Sequence, residues 1–109
     1  MNKYDEKHLR DMLEAIRRIE EYTRGGREAF FSSTLIQDAV IRNIEIIGEA
    51  AGRLGVIAHL RRDIPWKEIR GMRNVLIHDY GNVDIHLVWD TVCKDVPDLK
   101  KKLLELIDE

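Results

Sequence analysis

Four polar side chains of chemically useful types lie close together in the chain, namely Arg73, Asn74, His78 and Tyr80. An imidazole can take a proton from a ribose 2′-hydroxyl or deliver one to a leaving oxygen. A guanidinium can stabilise the charge on a five-coordinate phosphorus, because its planar fork holds two oxygens at once. These residue types therefore suit cleavage of a phosphodiester without a metal, with Arg73 and His78 as the reacting pair.

The other two groups suit supporting roles. Asn74 can orient the imidazole or bind phosphate, and the phenol of Tyr80 can hydrogen-bond a substrate or accept a transferred group. The four residues also fit a purely structural interpretation, because a histidine charge is favoured at a helix C-terminus, and arginine and tyrosine are common at subunit interfaces. Spacing alone leaves both interpretations open.

Helical periodicity dominates the N-terminal half of the chain. Apolar spacing predicts a first helix from Tyr4 to Tyr22, followed by Gly25-Gly26 and a long second helix capped by Ser32, Ser33 or Thr34. The residues expected to face inward are Leu9, Met12, Leu13, Ile16, Ile19 and Tyr22 in the first helix and Leu35, Ile36, Ala39, Val40, Ile44, Ile47, Ala51 and Leu54 in the second. Gly48 costs the second helix roughly 1 kcal/mol relative to alanine, which indicates that another helix approaches closely there.

A third helix is predicted to begin at Ile64-Pro65-Trp66, with Asp63 as its cap, and to run to about His78. On an ideal helix Arg73 would align with Tyr80, and Asn74 with His78, on adjacent faces. Asp84 is expected to cap a fourth helix, which Val96-Pro97 interrupts before a last amphipathic segment. No alternating strand is evident. The prediction is a single all-α domain over residues 1–109, with a four- to five-helix up-and-down bundle.

The composition restricts partners and location. A net charge of −2 means that a polyanion must bind a local basic cluster rather than the chain as a whole. One candidate cluster, for which a merely solvated surface is an equally good interpretation, is Arg61, Arg62, Lys67, Arg70 and Arg73. The lone Cys93 is interpreted as core filling, and the absence of signal-peptide or membrane-spanning apolar runs favours the cytoplasm.

Other histidines and the tryptophans have structural interpretations. His8, His59 and His86 lack the spacing with carboxylates that is typical of zinc or di-iron sites, so no metal or other cofactor is predicted. Trp66 and Trp89 fall within apolar helical patterns and are expected to be core or interface anchors.

The sequence RNVLIHDY from Arg73 to Tyr80 resembles the Arg-x4-His-x-Tyr motif of HEPN-superfamily ribonucleases, in the form typical of HepT-like toxins. Residues 37–51, Ile64-Pro65-Trp66, Gly71-Met72 and Trp89 are similar to other signature segments of that family. The resemblance therefore covers most of the chain.

This resemblance implies a homodimer in which the motifs of both subunits face a shared cleft. It implies a metal-independent endoribonuclease that cleaves RNA, with Arg73 and His78 as the catalytic pair and Asn74 in support. Arg42 and Glu49 would line the cleft, although their spacing with Glu45 otherwise indicates exposed ion pairs.

The resemblance also implies a regulatory partner. HepT-like toxins of type VII toxin–antitoxin systems are paired with an MntA-like minimal nucleotidyltransferase antitoxin, which transfers AMP from ATP to the tyrosine of the motif, here Tyr80. The added phosphate and nucleotide would block the catalytic pair. Two other functions stay open: a non-catalytic helical subunit that binds a minimal nucleotidyltransferase, and a bundle that binds a nucleotide or another small molecule.

Overall fold

The computed structural model describes residues 1–72, 74, 77, 78 and 82–108, with the backbone alone described for Ile77 and His78. Its helices are α1 (Lys3–Tyr22), α2 (Gly26–Phe31), α3 (Thr34–Gly52), α4 (Val56–Leu60), α5 (Trp66–Arg70), α6 (Ile85–Asp90) and α7 (Val96–Asp108). Two short strands, β1 (Ile77–His78) and β2 (Asn82–Val83), lie between α5 and α6. The all-α prediction is confirmed, because helices make up most of the described chain.

Helices α1 and α3 form the centre of the bundle and pack along each other. The cap of α1 is Asn2, whose side chain accepts a hydrogen bond of 2.7 Å from the Asp5 amide. Ser33 caps α3 through the Ile36 amide at 3.1 Å, which confirms one of the three predicted caps. The predicted inward faces are largely correct, with the fully buried residues Leu9, Met12, Ile16, Ile19, Val40, Ile44, Ile47 and Ala51.

Leu35 and Tyr22 depart from this pattern. Leu35 is 79% exposed and Tyr22 is 36% exposed, so the prediction that both face the core is wrong. Both lie in the terminal turn of a helix, where periodicity continues although the neighbouring elements do not cover the side chain.

The C-terminal third is helical from residue 85 to 108, with a π-helical turn at Thr91–Asp95 between α6 and α7. Asp84 caps α6 through the Leu87 amide at 3.1 Å, as predicted. The expected interruption at Val96-Pro97 is wrong, because the backbone of Val96 stays helical and its amide donates to the carbonyl of Thr91. The wider π turn accommodates the Pro97 ring, which would otherwise clash with a carbonyl of the preceding turn.

Cys93 lies in this π turn and is exposed, so its interpretation as core filling is wrong. The buried positions of this segment are instead Val88, Thr91 and Val96. An extra residue in a helical turn rotates the positions that follow, and the periodicity of a regular helix therefore no longer predicts which side chains point inward.

Helix α5 is shorter than predicted and ends at Arg70, with Gly71 as its C-cap. Met72 and Asn74 are again helical, but Ile77 pairs with Val83, and His78 with Asn82, in an antiparallel arrangement. The helix therefore does not reach His78 as predicted, and two short strands are present where none was expected. The β-branched residues Ile77 and Val83 favour the extended backbone. The helical alignment of Asn74 with His78 therefore does not apply.

Candidate functional site

The end of α5, just before the motif, lies directly against α3. A Cβ atom added to Gly48 would be 3.3 Å from the carbonyl oxygens of both Ile69 and Arg70. This confirms the close approach predicted from Gly48. The absence of a side chain thus allows the segment that leads into the motif to sit on the C-terminal half of α3.

The structure describes only part of the motif itself. Asn74 is exposed, and its amide donates to the Gly71 carbonyl at 3.0 Å. The backbone of His78 belongs to β1, opposite Asn82. Arg73, Tyr80 and the side chain of His78 lie outside the described residues. The catalytic roles of Arg73 and His78, and the acceptor role of Tyr80, therefore stay predictions.

The two residues expected to line the cleft lie on the exposed surface of α3. Arg42 Nη1 is 3.4 Å from Glu49 Oε1 and 3.8 Å from Glu45 Oε2, so the ion pairs indicated by the spacing are present. Glu49 also faces α1, because it lines a pocket together with His8 and Asp11. The role of Arg42 and Glu49 in a cleft beside the motif stays a prediction.

A polar pocket of about 250 Å³ lies between α1 and α3, where Glu49 meets His8, Asp11, Glu14, Arg18 and Arg53. His8 is buried and packs edge-to-face on Tyr4, with 4.6 Å between ring centroids, as expected of a packing histidine. The hydrogen bond from Arg17 lowers the pKa of Glu14. Because charges of both signs line this pocket, its electrostatic preference for one kind of ligand is weak.

The predicted basic cluster is divided by the fold. Arg61 donates to Asp63 through Nε at 2.9 Å and a terminal guanidinium nitrogen at 3.0 Å, and it lies 3.9 Å from Glu105. This hydrogen bond lowers the pKa of Asp63. Asp63 therefore holds Arg61 and does not cap α5, whose start has no side-chain cap. Arg73 lies outside the described residues.

The other basic residues border an open groove of about 380 Å³, which we call the α4–α5 groove. Its polar rim carries His59, Arg62, Lys67, Glu68 and Arg70. Its floor is apolar and consists of Leu54, Ala58, Ile64, Pro65 and Trp66. The indole N–H of Trp66 donates to the Arg61 carbonyl at 3.0 Å, which confirms Trp66 as a core anchor. The inclusion of His59 could not be predicted from sequence, because α4 and α5 meet only in the fold.

Another cavity, of about 250 Å³, lies between α5 and the α6–α7 segment. Its walls are mostly apolar, and its rim carries Glu68, Asp95, Asp98 and Lys102. The excess of carboxylates makes this cavity unfavourable for a polyanion. Within the described ranges, no group of three or more potential metal ligands is present, and no helix is both long and apolar enough to cross a membrane.

Comparison with known proteins places this architecture in a family. The model of the HepT-like family, described as ribonuclease HepT-like, matches residues 12–106. The chain is 43% identical to probable ribonuclease HepT of Thermococcus cleftensis over 108 residues, which are 97% of this chain and 98% of the relative. No solved structure matches the chain.

A second relative is a longer protein of Methanocaldococcus jannaschii named "Gamma-glutamylcyclotransferase and putative RNase". The two chains are 47% identical over 104 residues, which are 94% of this chain but 47% of the relative, so this chain spans about half of its length. Because the family model covers most of the chain and a relative of the same length matches almost throughout, this protein belongs to the HepT-like ribonuclease family.

Proposed function

We propose that this protein is a metal-independent endoribonuclease, acting as the toxin of a type VII toxin–antitoxin system. The observation that carries the proposal is the complete motif, with Arg73, Asn74, His78 and Tyr80, inside the region matched by the HepT-like family. The close packing of α5 on Gly48 supports it, because this contact holds the chain just before Arg73 on a rigid helix.

In the proposed reaction, the ribose 2′-oxygen attacks the adjacent phosphorus while its proton passes to the imidazole of His78. The bond from phosphorus to the 5′-oxygen breaks, and that oxygen takes up a proton from a second imidazole, that of His78 in the partner subunit of the proposed homodimer. Arg73 stabilises the charge on the five-coordinate phosphorus, and Asn74 orients the imidazole or the phosphate. The products are a 2′,3′-cyclic phosphate and a 5′-hydroxyl.

The test is cleavage of end-labelled single-stranded RNA by the purified protein in excess EDTA. We expect His78→Ala and Arg73→Ala each to lower the cleavage rate by about 10²–10⁴-fold. His86→Ala is the matched histidine control, because His86 is exposed and its ring contacts only that of Phe31 among the described aromatic residues. RNA left intact by the wild type, or cleaved equally by His78→Ala, would exclude the proposal.

The same proposal includes regulation at Tyr80 by an MntA-like nucleotidyltransferase in the cytoplasm. The phenol oxygen attacks the α-phosphorus of ATP, pyrophosphate leaves, and the bound AMP covers the catalytic pair. Co-expression with the antitoxin should add the mass of AMP to the wild type but not to Tyr80→Phe. Tyr4→Phe is the control, since Tyr4 is 57% exposed and belongs to α1. AMP on Tyr80→Phe would refute this acceptor.

The non-catalytic alternative makes a different prediction. If the motif served only assembly with a nucleotidyltransferase, the wild type would cleave no RNA, and the complex would form equally well with Arg73→Ala and His78→Ala. Sedimentation of the purified protein tests the homodimer independently, and a monomer at micromolar concentration would contradict it.

A further inference from the structure

We infer that the α4–α5 groove binds the backbone of single-stranded RNA beside the bond that is cleaved. The inference rests on the proposed function and extends it, because it assigns a second contact surface for the same substrate outside the motif. The juxtaposition that carries it is a basic rim, formed by His59, Arg62, Lys67 and Arg70, above an apolar floor.

The positive charge of this rim is available to a ligand. Arg62, Lys67 and Arg70 are exposed, and none of them forms an ion pair with another residue in the part of the chain that the structure describes. In contrast, Arg10 and Arg17 on α1 lie within 2.9 Å of carboxylate oxygens. Because the whole chain has a net charge of −2, a polyanion needs such a local excess of positive charge.

The composition of the groove favours a single strand over a duplex. Proteins that bind single strands combine positive charge along the backbone with aromatic or histidine side chains that stack on base faces. Ala58 and Leu54 provide apolar contact, and the exposed imidazole of His59 can stack on a base. Glu68 is the carboxylate on the rim, and it leaves an excess of positive charge.

The groove is also continuous with the approach to the motif. Lys67 and Arg70 are three residues apart on α5 and therefore lie on the same side of the helix, about 4.5 Å apart along its axis. The exposed side chain of Arg70 lies beside the end of α3, because its Cδ is 3.7 Å from the position of a Cβ added to Gly52. Since Arg70 is three residues before Arg73 in the chain, an RNA strand held in the groove leads toward the motif.

The binding experiment uses the full chain carrying His78→Ala, so that labelled RNA of about 15 nucleotides stays intact during fluorescence anisotropy. Adding Arg62→Ala and Lys67→Ala should weaken binding about tenfold near 0.1 M salt. It should also reduce the slope of log K against log salt by about 1.4, that is about 0.7 for each lost phosphate contact. Equal affinity and an unchanged slope would overturn the inference.

A matched control removes the same charge elsewhere. Arg24 and Lys101 are exposed, and both lie near the C-terminal end of α1, because Arg24 follows that end and Lys100 pairs with Glu20 at 2.9 Å. Arg24→Ala with Lys101→Ala should keep RNA binding within about twofold, since it leaves the groove intact. A loss as large as that of the groove variant would show that only net charge matters and would also overturn the inference.

Cleavage of substrates of two lengths separates this inference from the proposed function. With His78 intact, the groove variant should cleave a dinucleotide as fast as the wild type but show a raised KM for the longer RNA. If the wild type cleaves neither substrate while the groove variant loses RNA binding, the proposed function fails and the groove assignment stands. If the variant cleaves both substrates like the wild type, the groove assignment fails alone.

The same variants test two other candidate ligands of the groove, a free nucleotide and an acidic protein surface. AMP or ATP bound by the wild type as tightly as the 15-nucleotide RNA would overturn the assignment to a polynucleotide. If the groove variant bound RNA like the wild type but no longer bound the co-expressed nucleotidyltransferase, the inference would be overturned. The ligand of the groove would then be an acidic protein surface. Retained helical circular dichroism confirms folding of the variants, which is expected because both substituted side chains are exposed.

Discussion

Two junctions hold the part of the chain that leads into the motif, and they depend on opposite features. At the first, the buried carboxylate of Asp5 in α1 accepts hydrogen bonds from the amides of Gly55, at 2.8 Å, and Ile57, at 3.2 Å. At the second, the end of α5 rests on Gly48 of α3, where a side chain would meet backbone oxygens at 3.3 Å. One junction requires a charge and the other requires the absence of a side chain.

This difference shows how a small helical protein can position an irregular segment. Helices α1 and α3 pack on each other and form one rigid support. The Asp5 junction fixes the start of the segment by directional hydrogen bonds, whose loss leaves the buried amide of Ile57 unsatisfied. The Gly48 junction fixes its end by close packing, whose loss requires backbone movement. The two should therefore respond differently to small changes of side chain.

The largest effect is expected for Asp5→Ala. This change removes the acceptor of two amides, of which that of Ile57 is buried and that of Gly55 is partly buried, and it should lower the free energy of unfolding by about 2–4 kcal/mol. Urea denaturation of the purified protein measures it. Asp5→Asn, which keeps one acceptor oxygen, should lose less, and a loss below about 1 kcal/mol for Asp5→Ala would contradict the role of this junction.

Gly48→Ala should have the next largest effect. At a helix position without a close neighbour, this change would raise the free energy of unfolding by roughly 1 kcal/mol. Here the methyl group meets two backbone oxygens, so the free energy of unfolding is expected to fall by about 1–2 kcal/mol. A displaced α5 would also move the start of the motif, so RNA cleavage should fall about tenfold. Thermal unfolding and the cleavage assay measure the two effects, and a more stable, fully active variant would refute them.

Gly52→Ala is the matched glycine control and should have the opposite sign. A Cβ there would lie 3.7 Å from Arg70 Cδ, an ordinary contact with a flexible side chain. Stability should therefore rise by about 0.5 kcal/mol through improved helix propensity, with cleavage unchanged. If both glycine variants lost stability equally, the close approach would not be specific to Gly48.

The smallest effect is expected for Glu6→Gln, one residue after Asp5. Glu6 is on the surface of α1 and accepts hydrogen bonds from Arg10 at 2.9 and 3.2 Å. Exposed pairs at this spacing contribute about 0.3–0.5 kcal/mol, so the midpoint of urea denaturation should hardly change. A loss comparable to that of Asp5→Ala would remove the distinction between buried and exposed carboxylates.

Local patterns predicted the regular parts of the molecule well. The apolar faces of α1 and α3 and the caps Ser33 and Asp84 each depend on residues within a few positions along the chain. The close approach at Gly48 was predicted from the cost of a glycine inside a helix, although the residues that approach it, Ile69 and Arg70, are distant in sequence. The errors concentrate where the helix is irregular. Pro97 was expected to interrupt a helix that a π turn maintains, and the helix expected to reach His78 ends at Arg70.

The site shows the same division. The residue types of the motif and of the basic cluster are visible in the sequence, and so is the family to which the chain belongs. The sequence could not indicate that Asp63 holds Arg61 while Arg62, Lys67 and Arg70 stay exposed, because that depends on side-chain directions where α4 meets α5. Nor could it indicate the partners of Asp5, which lie 50 and 52 residues away.

The helical class, the central pair of helices and the residue types available for chemistry thus follow from the amino-acid sequence, because periodicity, capping and residue type act over short distances along the chain. In contrast, packing between helices sets where α5 ends, which basic residues share a groove and which carboxylate is buried. These outcomes depend on contacts between residues far apart in sequence, whose free energy exists only once the helices have packed.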